Sequence, residues 1–218
     1  MRRRFMGIRE RKARERENRR DVIRDAARTA FLEVGIQQCS MERIASTAEV
    51  AKGTLYLYYK NRDELILAIL AEDFNKIVTK IEKIAARKIE ADKKLHRCVD
   101  VFLQYTSENN IFYKELVRIG NEHSSAECCK ADLPYMKEFA EIDSRIFTAT
   151  LNIVQEGVDS GLFTVKTKIH QTVLDLMLAT RGAMLLCQSS VLPPQYGKIN
   201  CEQVVRNVTS LLIKGLMH

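Results

Sequence analysis

SMERIASTAEVAKGTLYLYYKNRDEL, residues 40–65, holds two short apolar stripes and two helix-start signals. Ser40 is a good N-cap, and Ile44, Ala45 and Ala48 behind it share one face of a short helix. Glu49-Val50 breaks that pattern, and AKGTLYLYY resumes it as a second short helix, with Leu55 the residue that plugs it into a core. Asn61 with Glu64 three residues on has the spacing of a capping box and opens a third, long helix. Its stripe of Leu65, Ile69, Phe74, Ile77, Ile81 and Ile84 extends to about Glu90. A helix of ~28 residues would span about 42 Å.

The same periodicity runs outward in both directions. Upstream, Ile23, Ala27, Ala30, Phe31 and Val34 predict a helix from Asp21 that stops at Gly35. Downstream, Leu95 to Leu103 marks a helix ending at Asn109-Asn110, and a short one runs from Ile111 to Gly120. Another follows Pro134 and ends near Gly161; two more cover residues 167–190 and 200–217, separated by Pro193-Pro194. No period-two alternation is long enough to demand a sheet, so the fold class is all-α. Nine Gly and three Pro in 218 residues agree, because folds of short strands and turns need more of both.

The formal charge of +7 admits nucleic acid as a partner without requiring it. The excess is concentrated at the start: ten basic residues lie between Arg2 and Arg20 against Glu10, Glu15 and Glu17. This run reads as a solvated tail or as an arm on the DNA backbone or in the minor groove. Charge continues where a secretory leader would turn apolar, and no apolar run reaches a membrane span, so a cytoplasmic protein is expected, with no membrane partner. The six cysteines form no CxxC and are expected as reduced, mostly core-filling thiols. Cys128-Cys129, with His123 nearby, lacks an obvious third ligand, so neither a metal nor any other cofactor is expected. Nucleophile-elbow, phosphate-loop and HExxH motifs are absent, which argues against an enzyme.

The two short helices have helix-turn-helix proportions. In the second, Gly53 permits close backbone approach, Lys52 and Thr54 can reach phosphates or base edges, and Tyr56, Tyr58 and Lys60 supply long donors. Ile44-Ala45 and the run from Val50 to Leu65 closely resemble the N-terminal domain of the TetR family of bacterial transcriptional regulators, and Ala26-Ala27, Phe31 and Gly35 lie at the family spacing. The resemblance covers about Arg20 to Leu70. It implies a basic arm over 1–19, a DNA-binding domain over 20–66 and a helical ligand-binding and dimerisation domain over 67–218. It also implies a homodimer, most simply a repressor, on a palindromic DNA operator. Ser40 matches a phosphate-contacting position, and Tyr58, Lys60 and Arg62 match positions of backbone contact. Two residues depart from the pattern: Glu49 replaces the usual turn Gly, and Ala51 often is Ser or Thr.

By the same resemblance, the last two helices dimerise. Ala179, Gly182 and Ala183 would let helices approach, and Leu174, Leu178, Leu186, Val204, Val208 and Leu211 would supply apolar area. A small apolar or amphipathic effector is expected among Phe102, Tyr105, Phe112, Leu116, Phe139, Phe147 and Met177. Arg181, inside the apolar stretch LMLATRGAMLLC, needs a protein carboxylate or an anionic ligand.

Overall fold

The structure is a computed structural model that describes residues 7–123, 135–188 and 199–217. Its helices are α1 (Ile8–Val34), α2 (Met41–Thr47), α3 (Lys52–Tyr58), α4 (Arg62–Ala85), α5 (Ala91–Glu108), α6 (Asn110–His123), α7 (Met136–Asp159), α8 (Ile169–Gln188) and α9 (Cys201–Leu216). No strand occurs among the described residues, and none of the described helices is long and apolar enough to cross a membrane. Cys128, Cys129, Pro134, Ser190 and Pro193-Pro194 lie outside the described residues.

The chain divides into two compact units, Met1–Leu70 and Ala71–His218. In the first, Ile23, Ala27, Ala30 and Phe31 of α1 are buried together with Ile44 and Ala45 of α2, Leu55 of α3 and Leu65 at the start of α4. Gly35 ends α1 at φ +82°, donating its N–H to the Phe31 carbonyl at 3.0 Å. In the second unit α5, α7, α8 and α9 pack on one another. Gly157 makes room for Phe163 there, since a Cβ at Gly157 would lie 2.1 Å from that ring.

Three boundaries differ from the sequence reading. The arm is no tail from Ile8 onward, because α1 starts there rather than at Asp21. Arg, Lys, Glu and Ala are strong helix formers, and Glu10 stands four residues before Arg14, the favourable order. The Glu10 carboxylate also accepts the Gly7 N–H at 3.1 Å. At the other end, α4 stops at Ala85, so its 24 residues span about 36 Å. The buried Lys94 ammonium takes the Ala85 carbonyl at 2.9 Å, an alternative to the next helical turn. Finally, α6 continues through Gly120 to His123.

Candidate nucleic-acid interface and ligand cavity

Ser40 caps α2 by accepting the Arg43 N–H at 3.1 Å. The turn then needs one residue in the left-handed region, and Glu49 supplies it at φ +53°. A residue with a Cβ is strained there by about 1 kcal/mol, which Gly would avoid. The Val50 N–H returns to the Ala45 carbonyl at 3.0 Å and closes the turn. Ala51 precedes α3 without a side-chain cap. Leu55 is fully buried, as its position predicts. Beyond α3, Asn61 Oδ1 accepts the Glu64 N–H at 2.8 Å, while the Glu64 carboxylate reaches back to the Lys60 N–H at 2.6 Å.

This packing leaves Ser40, Lys52, Gly53, Tyr56 and Lys60 exposed, with Thr54 and Tyr58 half-buried. The Lys52 ammonium pairs with Glu42 of α2 and lies 6.0 Å from the Tyr56 ring centroid. The pairing holds the Glu42 carboxyl below its usual range and Lys52 above its own. Both groups are at the surface, so salt screens the pair and Lys52 is easily released to a phosphate.

Arg62 is engaged within its own unit. Its guanidinium donates to the Ile36 carbonyl at 2.9 Å, the Gln37 carbonyl at 3.2 Å and Gln37 Oε1 at 3.3 Å. It braces the loop between α1 and α2. Sequence reasoning also passed over Tyr59, which is fully buried, donates its hydroxyl to the Arg20 carbonyl at 3.4 Å and lies under the Arg20 guanidinium at 5.1 Å. Leu57 was missed as well, and it is 75% exposed on α3. No periodic signal marks the Glu42–Lys52 pair, because its members sit on different helices.

Within the second unit, α4 to α9 enclose a cavity of ≈ 410 Å³. Five of the expected residues line it: Phe102, Leu116, Phe139, Met177 and Arg181. Tyr105, Phe112 and Phe147 do not. The Tyr105 hydroxyl donates to Asp73 at 3.1 Å, Phe112 is buried elsewhere in the core, and Phe147 lies 6.0 Å from the His170 ring. Helical phase explains two of these displacements, since Tyr113 and Ile146, one residue away from Phe112 and Phe147, do line the cavity. On α7 the lining stripe is Met136, Phe139, Ile142, Asp143, Ile146 and Thr150, a run at three- and four-residue spacing that the aromatics alone did not reveal.

Two charged residues line this cavity, and they pair with each other: Arg181 Nη2 and Nη1 reach the Asp143 carboxylate at 2.8 and 3.3 Å. Both remain partly exposed, which places the pair where the cavity meets solvent. Burial pushes the Cys98 thiol up to about 12, and it raises Tyr113 while nearby Arg181 pulls it down. The interior wall is therefore neutral. A second, polar cavity of ≈ 400 Å³ adjoins α4 and α7, where Arg145 grips Glu82 with two bonds of 2.9 and 2.7 Å and Asn75 donates to Glu138 at 2.8 Å.

On α8 and α9, Leu174, Leu178, Leu186 and Leu211 are exposed, the last at 71%. Ala179, Gly182, Val204 and Val208 are half-buried. Ala183, also expected in an interface, packs on the chain's own cluster of Leu103, Met184 and Val205.

Residues 23–69 match the family model of the bacterial regulatory proteins, tetR family. The fatty acid metabolism regulator protein of Bacillus subtilis (strain 168) is 26% identical over 144 residues, covering 64% of this chain and 68% of that protein. A TetR transcription regulator from Haloarcula marismortui superposes with a TM-score of 0.69 at 17% identity, over 93% of this chain and 100% of that one. Thermus thermophilus FadR, a TetR-family transcriptional repressor crystallised with lauroyl-CoA, gives 0.63 at 16% identity, over 91% and 95%. Residues 23–69 thus carry the domain of the bacterial regulatory proteins, tetR family, and the described chain shares its fold with solved TetR-type regulators.

Proposed function

We propose that this chain is a cytoplasmic, homodimeric repressor that leaves its palindromic operator when an acyl-chain effector fills the cavity of the second unit. The observation that carries the effector is the neutral, apolar wall ending at Arg181 and Asp143. An aliphatic tail gains from leaving water at about 25 cal/mol per Å². An anionic head at the mouth would take Arg181 from Asp143. The acyl-CoA bound by the Thermus structure and the lipid-linked name of the Bacillus relative point to the same chemistry.

In this reading Ser40, Lys52, Gly53, Thr54, Tyr56, Tyr58 and Lys60 face the duplex, and Arg62 holds their scaffold. The exposed leucines of α8 and α9 pair with those of a second protomer, so that two-fold protein matches two-fold DNA. Helix α4 starts beside α3 and carries Phe74 and Ile81 of the cavity wall, which makes it the element through which a ligand acts. Coupling of this kind is reciprocal and amounts to about 1–3 kcal/mol.

The test is a titration of lauroyl-CoA, laurate and coenzyme A against the chain bound to a duplex selected from a random-sequence library. Lauroyl-CoA should bind and release the duplex, with coenzyme A alone inert. Duplex binding unchanged at saturating lauroyl-CoA would reject this effector class and leave a DNA binder without an acyl switch.

A further inference from the structure

The first three turns of α1 are exposed on every side, through Arg19. A helix without an apolar face needs either internal charge pairs or a partner. Its charges are not evenly mixed. Arg9, Lys12, Arg16 and Arg19 recur at three- and four-residue spacing and, at about 100° per residue, fall within about 80° of one another. Glu10, Glu15 and Glu17 all lie outside that arc. Among the described residues, none of the four basic groups is held in an ion pair.

The stripe continues in register into the domain. After Arg9, Lys12, Arg16 and Arg19 come Ile23, Ala27 and Ala30 at the same spacing, all fully buried. One face of α1 is thus core for its second half and a row of cations for its first. The changeover falls at Arg20, whose carbonyl and guanidinium hold Tyr59 directly after α3. The cationic row therefore leaves the domain where the candidate DNA-reading helix ends.

We infer that this row is a phosphate rail that grips duplex DNA flanking each operator half-site. The inference rests on the reading of the chain as an operator-binding regulator, and it extends the footprint past α2 and α3. The fit is one of charge and dimension. From Arg9 to Arg19 the row is about 15 Å long. At about 3.4 Å per base pair, that is four to five base pairs of backbone. Arg and Lys at successive turns stand about 5–6 Å apart, close to the spacing of neighbouring phosphates, and a row laid along the backbone meets phosphates rather than base edges. The effect is to add affinity and salt dependence without adding sequence preference.

The experiment compares the full chain with the variant Arg9→Gln/Lys12→Gln/Arg16→Gln/Arg19→Gln, in which Gln keeps the helix propensity. Far-UV circular dichroism and the thermal midpoint check that the fold is retained. Two duplexes are used: the shortest retaining binding after selection from a random-sequence library, and the same sequence with about one helical turn (about 10 bp) added to each end. Anisotropy titrations at several salt concentrations give affinities and slopes. The unaltered chain should prefer the longer duplex by tenfold or more. The variant should lose that preference, and its slope on the longer duplex should fall by about 0.9 for every phosphate contact removed. Equal affinity of the unaltered chain for both duplexes would overturn the rail, as would an equal loss by the variant on both. Recovery of no duplex in the selection would instead refute the regulator reading beneath it.

Discussion

Lys94 and Glu156 form an ion pair whose two members are buried to very different degrees, and this makes a sharp prediction about which of them matters. The Lys94 side chain is 2% exposed, whereas that of Glu156 is 48% exposed; they meet at 2.6 Å. Lys94 also donates to the Ala85 carbonyl at 2.9 Å, so the ammonium ties the end of α4 and the start of α5 to α7. Removing one partner of a buried pair costs about 3–5 kcal/mol when the survivor stays unpaired and dry. Glu156→Ala approaches that situation: the buried ammonium loses its counter-ion and keeps one carbonyl. We expect about 3 kcal/mol, the low end of the range, because the emptied site lies near solvent. Lys94→Met removes the charge that burial penalises and retains a stem of similar length. Glu156 then simply rehydrates. The residual loss is one hydrogen bond to Ala85, about 1 kcal/mol, partly offset by the avoided burial of an ammonium.

In a unit of this size 1 kcal/mol shifts the melting midpoint by about 2–4 °C. Calorimetry should therefore show Glu156→Ala lowered by about 6–12 °C, Lys94→Met within about 4 °C of the parent, and the double variant close to Lys94→Met. A larger loss from Lys94→Met than from Glu156→Ala would refute the reasoning, since it would show that the lysine contributes more than it loses by desolvation.

Lys52→Ala should weaken the selected duplex by about 10–100-fold if the side chain reaches a base edge, and unchanged binding with the fold intact would remove it from the interface. Arg62→Ala should instead lower stability by about 1–2 kcal/mol in urea titration, because three acceptors in the 36–37 loop lose their donor; normal stability with weakened DNA binding would reverse its assignment. Leu178, at 58% exposure, and Leu211 contribute little to their own protomer's core, so Leu178→Glu/Leu211→Glu should sediment as a folded monomer, and a persisting dimer would place the interface elsewhere. The Arg145 fork lowers the Glu82 pKa from its ordinary 4.5, so this tie contributes stability above that pH and loses it as acid protonates the carboxylate. Glu82→Gln should accordingly flatten the decline of the urea midpoint below that pH, and identical profiles would show that the pair contributes nothing. Cys98, raised to about 12 by burial, should resist iodoacetamide at pH 8 until the chain unfolds.

How far the sequence carried these conclusions depended on whether a feature is local or lies between helices. Ser40, Leu55 and Asn61 were legible because a cap or a core plug is fixed within three or four residues, and each is found in that role. Glu49 was legible as a problem: a tight turn wanted a left-handed residue, and the chain put one there without glycine. The cavity was half legible. Aromatic identity pointed to the right helices, but whether Phe139 or Phe147 faces inward is a matter of phase, which only the packing of α7 on its neighbours sets. Pairs that join separate helices were opaque. Arg181 had to find an anion, yet nothing in the linear chain singled out Asp143, 38 residues away. Arg62 shows how a motif position can hide a second role. Its position in the motif suggested DNA, but a guanidinium is a five-donor fork, and in this chain the loop carbonyls of Ile36 and Gln37 claim that fork. The basic arm sits between these cases. Its charge was plain, but its meaning changed once α1 proved continuous, because only a helix aligns Arg9, Lys12, Arg16 and Arg19 with the buried face that follows them.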